Sequence, residues 1–487
     1  MAKDIENIIK SMMLTSSEAV VVERIESGFF KDGDVTYSSL PKMLRVAIVS
    51  KPGRGSLINI EVWLPDDWNG IFIGTGNGGF AGKIAYNYLS DYSRRGYAVA
   101  NTDLGTSRGR ESGINNPDVW KDFGWRATHL MTTLAKTIIK KFYGKKPTYS
   151  YFYGASTGGQ QAFSEAQRFP KDYDGIIAGV PGNNRVLLHT YFLWKYVKLR
   201  TREGRPLFAS AEANKITDIA TEYFNSKKEL GENKNYVSFP YINESTVDDF
   251  LDYLRRKCPD FTEEQLNALK AVYNGPVNPE TNEQIYCGMP IASEIYPSGI
   301  MLCEGVESPH FYPFIWAFGK DYNGYDFDFS HDLDKILKKM GKELNANNPN
   351  LSAFYKRGGK LLAFSGSSDP CVPYADVVKY YNRVCEKLGG YDVVKKFFGL
   401  FIMPGKDHSF NGRGVTDEWS NENRDDLFCA LRNWREENIE PEYIIGGRIN
   451  RENPERPLEF MKKIYPYKGD KTEVLDFPKS CDERYLK

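Results

Sequence analysis

A serine flanked by glycines is the first part of this 487-residue chain whose spacing could do chemistry. Ser156 lies in the stretch YFYGASTGGQQAF, residues 151–163, with Gly154 and Gly158 two positions before and after it. In this G-x-S-x-G arrangement, small residues let a nucleophile occupy a sharp, strained turn between a strand and a helix. The spacing predicts Ser156 as a nucleophile. A glycine-rich turn with an incidental serine is the plainer interpretation.

A histidine late in the chain has the position that a base for this serine would need. A serine hydroxyl is a weak nucleophile at neutral pH until a base takes its proton. The chain has five histidines, namely His129, His189, His310, His331 and His408. Only the last follows a late strand-like segment, FFGLFIMPG, in a turn-rich loop, and it suits the chain order serine, acid, histidine of one large class of hydrolases. We therefore predict His408 as the base and structural roles for most of the others.

Two aspartates are candidates for the acid that orients this histidine. Asp369 ends the strand-like segment KLLAF and precedes a helix that starts near Pro373, whereas Asp407 is the direct neighbour of His408. Adjacent side chains seldom point so that one can bond the ring nitrogen of the other. We therefore predict Asp369, with Asp407 as the rival. Ser156, Asp369 and His408 would then all follow the carboxyl ends of strands, where open α/β sheets build their sites.

A glycine-rich loop could supply backbone donors for the negative charge that develops on a carbonyl oxygen. The amide of Thr157, directly after the serine, is the usual first donor. The loop GTGNGGFAG, residues 74–82, follows an early strand, and its glycines allow close approach of the backbone. We predict Gly79 or Phe80 as the second donor, without a choice between them. The loop lacks the pattern of a phosphate-binding loop.

Alternating strands and helices surround these residues and would position them. Strand-like segments cover residues 57–65, 70–76, 96–103, 149–153, 174–182, 358–370 and 397–410. Helical spacing covers residues 125–143, 160–169, 373–388 and 425–437. This alternation of strands and helices predicts an α/β fold, namely an α/β-hydrolase core with a mainly parallel sheet covered by helices. We expect the last fifty residues to be irregular and to wrap the core.

This alternation is interrupted in the middle of the chain by a helical, loop-rich and partly polar segment. We therefore predict a catalytic core of residues 1–185 and 355–487, interrupted by an inserted lid domain of residues 186–354. The lid contains a stretch dense in aromatic residues, HFYPFIWAFGKDYNGYDFDF. We expect these rings to form mainly the core of the lid, while Phe314 or Trp316 could line an apolar pocket for an aromatic acyl group.

Composition excludes several classes of function. Lysine plus arginine equals aspartate plus glutamate at 64 each, so the chain lacks the basic excess typical of proteins that bind nucleic acid or acidic membranes. No apolar run approaches the length of a membrane span. The seven cysteines include no C-x-x-C pair, and their odd number favours reduced thiols. The N-terminus, MAKDIENIIKSMML, has no apolar signal region, so we expect a cytoplasmic protein unless a signal has been removed.

Longer motifs resemble the tannase and feruloyl esterase family through most of the chain. The family's order and spacing are matched by GNGGFAG, GYAVANTDLGT, FGWRATH, YFYGASTGGQQAF, FPKDYDGIIAGVPG, FSGSSDPCVP and MPGKDHSFNG. Part of the family's lid resembles YNGPVNPETNEQIYCGMPIASE, residues 273–294. The resemblance implies a serine esterase for esters of aromatic carboxylic acids, such as hydroxycinnamates or gallates, and the reaction requires no metal and no organic cofactor. It implies Ser156 as nucleophile, Asp369 as acid and His408 as base.

The chain departs from the family's pattern in two places. Many members have a disulfide between a cysteine before the nucleophile and one after the histidine, but these positions are Ala155 and Ser409 here, so no bridge can form. Many members also carry a calcium loop in the lid. The corresponding segment, NESTVDDFLDYLRRKCPDF, lacks the required Asp spacing, and we expect no calcium there. Asp326, Asp328 and Asp332 are interpreted as a solvated acidic loop.

Several functions would use the same residues. The triad could hydrolyse a galloyl ester, transfer an acyl group to an alcohol, or cleave an amide. The complete set of serine, acid and base argues against a catalytically inactive binding protein. We expect a small-molecule aromatic ester as the partner, with no nucleic acid and no membrane. The sequence leaves open the acid, the alcohol and the oligomeric state.

Overall fold

The protein forms two compact units. The computed structural model describes residues 7, 9, 11–12, 16–227, 235–238, 244–300, 312–451 and 458–468. The first unit comprises Met1–Asn183, Ile315–Lys320 and Met340–Leu361. The second unit comprises Asn184–Phe314, Asp321–Lys339 and Leu362–Lys487. The division into a catalytic core and an inserted lid stays a prediction.

The described strands lie in three sheets. In chain order they are β1 (Ser17–Ile25), β2 (Phe30–Asp32), β3 (Val35–Tyr37), β4 (Met43–Ser50), β5 (Ile58–Pro65), β6 (Ile71–Thr75), β7 (Ala98–Thr102), β8 (Tyr149–Ala155), β9 (Gly175–Gly179), β10 (Lys360–Gly366), β11 (Phe398–Met403), β12 (Asp417–Trp419), β13 (Ile444–Ile449) and β14 (Leu458–Ile464).

The largest sheet has nine strands in the order β1-β4-β5-β7-β6-β8-β9-β10-β11. Strands β1, β4, β5 and β7 pair antiparallel, whereas β7, β6, β8 and β9 pair parallel, so the sheet is mixed. In the parallel part, Ile73 pairs with Val99 on one side and with Tyr151 on the other. Every residue of β6, β7 and β9 is buried, as expected of parallel strands that helices cover on both faces.

The α-helices of the described residues include one close to each predicted helical segment, together with others that were not predicted. In chain order they are α1 (Tyr86–Arg94), α2 (Pro117–Lys121), α3 (Ala127–Tyr143), α4 (Thr157–Arg168), α5 (Arg185–Lys198), α6 (Ser210–Ser226), α7 (Glu244–Lys257), α8 (Glu263–Asn274), α9 (Tyr312–Phe318), α10 (His331–Ile336), α11 (Lys342–Leu344), α12 (Ser352–Lys356), α13 (Tyr374–Leu388), α14 (Tyr391–Val394) and α15 (Leu427–Glu436).

Helix α3 shows why the spacing of apolar residues predicted a helix in the first unit. Its buried face includes Met131, Leu134 and Ile138, which recur at helical spacing. It ends at Gly144, whose φ of 73° is left-handed and therefore suits glycine. The chain then enters β8, which leads directly into the turn at Ser156 and α4.

The expectation of an irregular C-terminal segment is wrong for residues 444–449 and 458–464, which form β13 and β14. Strands β12, β13 and β14 form a three-stranded antiparallel sheet, in which Trp419 pairs with Ile445. The sequence of β13 contains Gly446 and Gly447, and glycine is depleted in strands. At Gly447 a Cβ would overlap the ring of Trp419, so here glycine is required by packing. Strand β14 is half exposed and carries lysines, so its sequence does not show a clear alternation of apolar and polar residues.

Two general expectations can be compared with the described part of the chain. None of its helices is long and apolar enough to cross a membrane. Five of the seven cysteines lie in the described residues, and of these Cys258, Cys287, Cys371 and Cys385 are free. The other two, Cys303 and Cys481, lie outside the described residues.

Candidate active site

Ser156 lies between β8 and α4 in the first unit. Its backbone has φ 61° and ψ −115°, a conformation that costs a non-glycine residue about 1–3 kcal/mol. The surrounding backbone holds it there, because the amide of Ser156 donates to the carbonyl oxygen of Gly179 at 2.9 Å and the amide of Gly182 donates to the carbonyl oxygen of Ser156 at 3.1 Å. The serine thus has the strained backbone of a nucleophile at a strand-to-helix turn.

Three glycines allow the backbone segments to meet at this turn. A Cβ on Gly76 would lie 2.5 Å from the Cα of Gly158, and a Cβ on Gly154 would overlap the carbonyl group of Gly158. Strand β8, the end of β6 and the first turn of α4 can therefore approach each other only without side chains at these positions. The glycines of the G-x-S-x-G pattern are a packing requirement of the turn.

The glycine-rich loop of residues 74–82 is hydrogen-bonded to the first turn of α4. The amide of Gly158 donates to the carbonyl oxygen of Asn77 at 2.6 Å. The hydroxyl of Thr157 donates to the carbonyl oxygen of Gly79 at 2.6 Å. The structure thus brings together two of the predicted oxyanion donors, Thr157 and Gly79, with Phe80 next in the chain.

Trp316 is fully buried in the first unit, beside this loop. Its indole Nε1 donates to the carbonyl oxygen of Arg110 at 2.6 Å, and a Cβ on Gly113 would overlap its ring. The ring centroid lies 6.0 Å from that of Phe80, which is partly exposed. Trp316 therefore supports the loop that carries the predicted second donor.

Phe314 is fully buried in the second unit. Its ring stacks on Tyr322 at a centroid distance of 5.7 Å and meets Phe327 edge-on at 5.0 Å. Phe314 thus has the surroundings of a core residue, and a role for it or for Trp316 at the substrate stays a prediction. The first two residues of the aromatic stretch, His310 and Phe311, lie outside the described residues.

Asp369 and His408 form a hydrogen-bonded pair in the second unit. They lie in the loops that follow β10 and β11. Asp369 is fully buried, and its Oδ2 lies 2.7 Å from Nδ1 of His408. Its Oδ1 accepts from the backbone amides of Cys371 and Val372, each at 2.8 Å. Since an ionised carboxylate only accepts hydrogen bonds, these contacts direct the Nδ1 proton of the imidazole toward Asp369.

The rival carboxylate, Asp407, bonds within its own loop. Its Oδ2 accepts from the hydroxyl of Ser409, and its Oδ1 accepts from the amides of Asn411 at 3.1 Å and Gly412 at 2.9 Å. These bonds close the turn after the histidine. Ser409 occupies the position at which the resemblance implies a cysteine in many family members, and here it stabilises the turn through Asp407.

The loops after β10 and β11 are also bonded to each other. The hydroxyl oxygen of Ser367 accepts from the amide of Gly405 at 2.7 Å, and the amide of Ser368 donates to the carbonyl oxygen of Lys406 at 3.1 Å. Lys406 is fully buried, and its ammonium donates to Glu418 at 2.9 Å. Residues that precede Asp369 in one loop and His408 in the other are therefore held in register by direct hydrogen bonds.

Burial and the neighbouring Asp369 carboxylate act in opposite directions on the pKa of His408. Burial by itself would lower the pKa of the imidazole, because the charged form loses water. The Asp369 carboxylate, with the Cys371 thiol contributing, outweighs burial and raises the pKa of His408 well above 6.5. About a fifth of the side chain, 19%, remains exposed. His408 therefore holds a proton more strongly than a free histidine does, as a base needs in order to accept one from serine.

A second titratable cluster lies in the first unit. In the described part of the chain it is the one group with metal-like spacing, since His129, Glu165 and Asp172 offer ligand atoms within 4.8 Å of one another. His129 Nδ1 lies 2.6 Å from Asp172 Oδ2, and the ammonium of Lys136 donates to the carbonyl oxygen of Asp172. Because this lysine already supplies positive charge, we interpret the cluster as a charge network of the framework.

Glu165 should make stability depend on pH. Burial, and then the charge of Asp172, raise the pKa of the Glu165 carboxyl well above 4.5 although Lys136 lowers it. Between the unfolded and the raised folded pKa, the folded state keeps a proton that the unfolded state releases. The free energy of unfolding therefore falls as pH rises, by at most about 1.4 kcal/mol per pH unit.

Glu165→Gln removes this titration and should flatten the fall. Chemical denaturation of the wild type and the variant across pH 4 to 8 measures it. Equal pH slopes for the two proteins would show that Glu165 ionises in the folded state as easily as in the unfolded chain.

Asp326, Asp328 and Asp332 accept hydrogen bonds from residues of their own turns. Asp328 Oδ1 accepts from the amides of Ser330 at 2.8 Å and His331 at 3.2 Å, at the start of α10. The hydrogen bonds from Ser330 are the main reason that the pKa of Asp328 is lowered. Asp332 Oδ2 accepts from the amide of Asp328 at 3.2 Å, and Asp326 Oδ2 accepts from a neighbouring asparagine at 2.9 Å.

Known proteins resemble this chain in sequence and in fold. The family model described as tannase and feruloyl esterase matches residues 42–227 and 254–482. The probable feruloyl esterase B-1 of Aspergillus terreus is 28% identical over 426 residues, which cover 84% of this chain and 79% of that protein. Feruloyl esterase C of Talaromyces stipitatus is 28% identical over 469 residues, covering 88% and 82%. The crystal structure of feruloyl esterase B from Aspergillus oryzae has a TM-score of 0.80 at 21% identity, covering 95% and 96% of the two chains, which shows the shared α/β-hydrolase fold.

Proposed function

The chain belongs to the tannase and feruloyl esterase family and is a carboxylic ester hydrolase, and we propose that it cleaves esters of hydroxycinnamic, feruloyl-type acids. The names of its relatives support the substrate class. We propose that Ser156 is the nucleophile, His408 the base and Asp369 the acid. The observation that carries this mechanism is the 2.7 Å hydrogen bond between the buried Asp369 and Nδ1 of His408.

In the proposed first step, the hydroxyl oxygen of Ser156 attacks the ester carbonyl carbon while Nε2 of His408 takes its proton. Asp369 engages Nδ1, so Nε2 is the nitrogen that exchanges the proton, and the buried carboxylate stabilises the imidazolium. His408 then gives the proton to the alcohol as the carbon–oxygen bond breaks. Water attacks the acyl-enzyme with His408 again as base, which releases the aromatic acid and restores Ser156.

We propose that the backbone amides of Thr157 and of Gly79 or Phe80 bind the developing oxyanion. The hydrogen bond from the Thr157 hydroxyl to the Gly79 carbonyl supports this, because it holds the two donor segments at a fixed separation. Preorganised donors act without reorganisation during the reaction. The loss of one such donor typically lowers turnover by about 10²–10³.

Recognition of an aromatic acyl group would require an apolar surface near the oxyanion loop. Phe80 and Trp316 support this part of the proposal, since their rings are in contact and Phe80 is partly exposed. Phe314 packs against the rings of Tyr322 and Phe327 and would act only indirectly, by supporting the lid. Galloyl esters, or transfer of the acyl group to another alcohol, would use the same triad and are alternative outcomes of the test.

A panel of four esters tests the proposal with purified protein. It contains methyl ferulate, methyl p-coumarate, methyl gallate and p-nitrophenyl acetate, and products are separated to detect both free acid and transferred acyl groups. We expect release of free acid, with a higher kcat/KM for methyl ferulate or p-coumarate than for methyl gallate. A preference for gallate would indicate a tannase, and a dominant transfer product an acyltransferase. Hydrolysis of the activated acetate alone would contradict the aromatic substrate class.

A further inference from the structure

A buried lysine and a buried tyrosine of one helix converge on a single carbonyl group. Lys195 and Tyr191 lie one turn apart on α5, and both side chains are fully buried. The ammonium of Lys195 donates to the carbonyl oxygen of Pro370 at 2.7 Å, and the hydroxyl of Tyr191 donates to the same oxygen at 2.8 Å. The acceptor belongs to the residue directly after Asp369.

The Pro370 carbonyl is mechanically coupled to the carboxylate of Asp369. It shares its planar peptide group with the amide of Cys371, which donates to Asp369 Oδ1 at 2.8 Å. In a trans peptide the C=O and N–H bonds point in opposite directions. Two donors that fix the carbonyl on one side therefore fix the direction of the N–H that holds Asp369 on the other side.

Lys195 also reaches a segment that contacts the histidine loop. Its ammonium donates to the carbonyl oxygen of Ser298 as well. Two residues earlier, the hydroxyl oxygen of Tyr296 accepts from the amide of Arg413 at 3.0 Å, in the loop that follows β11. One ammonium is thus bonded to the acid loop and to a segment that is bonded to the histidine loop, all within the second unit.

Burial of an ammonium is costly unless its donors are used. The ring of Tyr191 lies 4.3 Å from the ammonium of Lys195, so that a cation–π contact adds to the two carbonyl acceptors. A methionine or leucine would fill this apolar helix face without that cost. The presence of a lysine at this position is therefore best explained by the carbonyl groups of Ser298 and Pro370, which its hydrogen bonds hold in place.

From this geometry we infer that Lys195 and Tyr191 are positioning residues, which hold the peptide after Asp369 so that its carboxylate stays aligned with Nδ1 of His408. This inference rests on the proposed role of Asp369 as the acid. Neither side chain is assigned a contact with substrate. Their effect on the reaction is transmitted through the Pro370–Cys371 peptide.

The test compares Lys195→Met and Tyr191→Phe with a matched control, Lys136→Met. Lys136 is a partly buried lysine of α3 that also donates to a backbone carbonyl, that of Asp172, and lies 5.5 Å from a tyrosine ring. We expect Lys195→Met to lower kcat on methyl ferulate about tenfold with KM within about twofold, since alignment rather than binding is lost. Tyr191→Phe removes one of the two donors and should lower kcat about threefold. Lys136→Met should leave both parameters unchanged.

The pH profile separates positioning from a general loss of stability. A misaligned Asp369 raises the pKa of His408 less, so the acid limb of kcat/KM should move to lower pH in Lys195→Met and Tyr191→Phe but not in Lys136→Met. Unchanged kcat and an unmoved limb in both α5 variants would overturn the inference. An equal fall of kcat in all three variants would also overturn the inference. If Lys195→Met does not fold, the kcat and the pH profile of Tyr191→Phe decide whether the inference stands.

A measurement without substrate distinguishes failure of this inference from failure of the proposed function. The imidazole of His408 is titrated by NMR in the wild type, in Tyr191→Phe and in Lys195→Met. A lowered pKa of His408 in the α5 variants supports the positioning role even if no ester is hydrolysed. An unchanged pKa in an enzyme that hydrolyses methyl ferulate rejects the positioning role and leaves the esterase proposal standing.

Discussion

Ser156→Ala is expected to lower kcat on methyl ferulate by about 10⁴-fold or more, because the oxygen that attacks the carbonyl is gone. Stability should change little. Alanine at φ 61° is strained to a similar degree as serine, and the glycine contacts of the turn are unaffected. Steady-state rates give the loss of kcat, and denaturation midpoints show that the variant is folded.

The matched control for this variant is Ser164→Ala. Ser164 lies in α4, the helix that follows Ser156, is buried, and its hydroxyl has no hydrogen-bond partner within the described residues. Removal of this hydroxyl should leave kcat within about twofold of the wild type. If Ser156→Ala kept a tenth or more of the wild-type kcat, Ser156 would not be the nucleophile.

Asp369→Asn should lower kcat by about 10³–10⁴ and shift the pH profile. Neutral histidine is the active base, so kcat/KM rises with pH through the pKa of His408. The Asp369 charge raises that pKa, so the wild-type rise should lie at a higher pH than for an ordinary imidazole. Without the charge the pKa falls, and the rise should move to lower pH. Rates measured from pH 5 to 10 test both effects.

Asp407→Asn tests the rival acid under the same conditions. Asparagine can still accept from the amides of Asn411 and Gly412, which close the turn after the histidine. We expect a loss of kcat below tenfold and no shift of the acid limb. A large loss and a shifted limb in this variant, with a nearly normal Asp369→Asn, would assign the acid to Asp407.

The turn at Ser156 is the part of the candidate site that the sequence indicates most directly. Gly154, Ser156 and Gly158 are neighbours in the chain, and the strand and helix on either side show their own periodicity. The observed bounds of β8 and α4 differ from the expected ones by a few residues. The strained φ of 61° and the overlap that a Cβ would cause are local consequences of the same spacing.

The contact between the predicted acid and His408 depended on the tertiary structure. They are 39 residues apart, and chain order narrowed the acid to two aspartates without a physical contact to decide between them. In the fold, Asp407 bonds its own turn, while Asp369 reaches the imidazole. Their assembly with Ser156 into one triad stays a proposal.

The strands also divide into those that the sequence predicted and those that depend on tertiary contacts. Strands β6 to β9 are buried on both faces and read as short apolar runs between helices, so their parallel part was predicted. Strand β1 has one buried residue, and β13 contains two glycines, of which packing requires Gly447, so neither shows a clear alternation of apolar and polar residues. These strands exist because of the partners that they pair with, which no local pattern records.

The amino-acid sequence by itself determined the α/β framework, the serine turn, the glycine-rich loop and the late histidine, because each depends on neighbours within about ten positions. Only the tertiary structure decided which carboxylate bonds to His408 and whether Lys195 is buried or exposed. In the sequence RVLLHTYFLWKYVK, this lysine is one of several polar residues in a mostly apolar helix, and lysine is typical of solvent-facing positions. The fold buries it instead, because carbonyl groups more than a hundred residues away satisfy its charge.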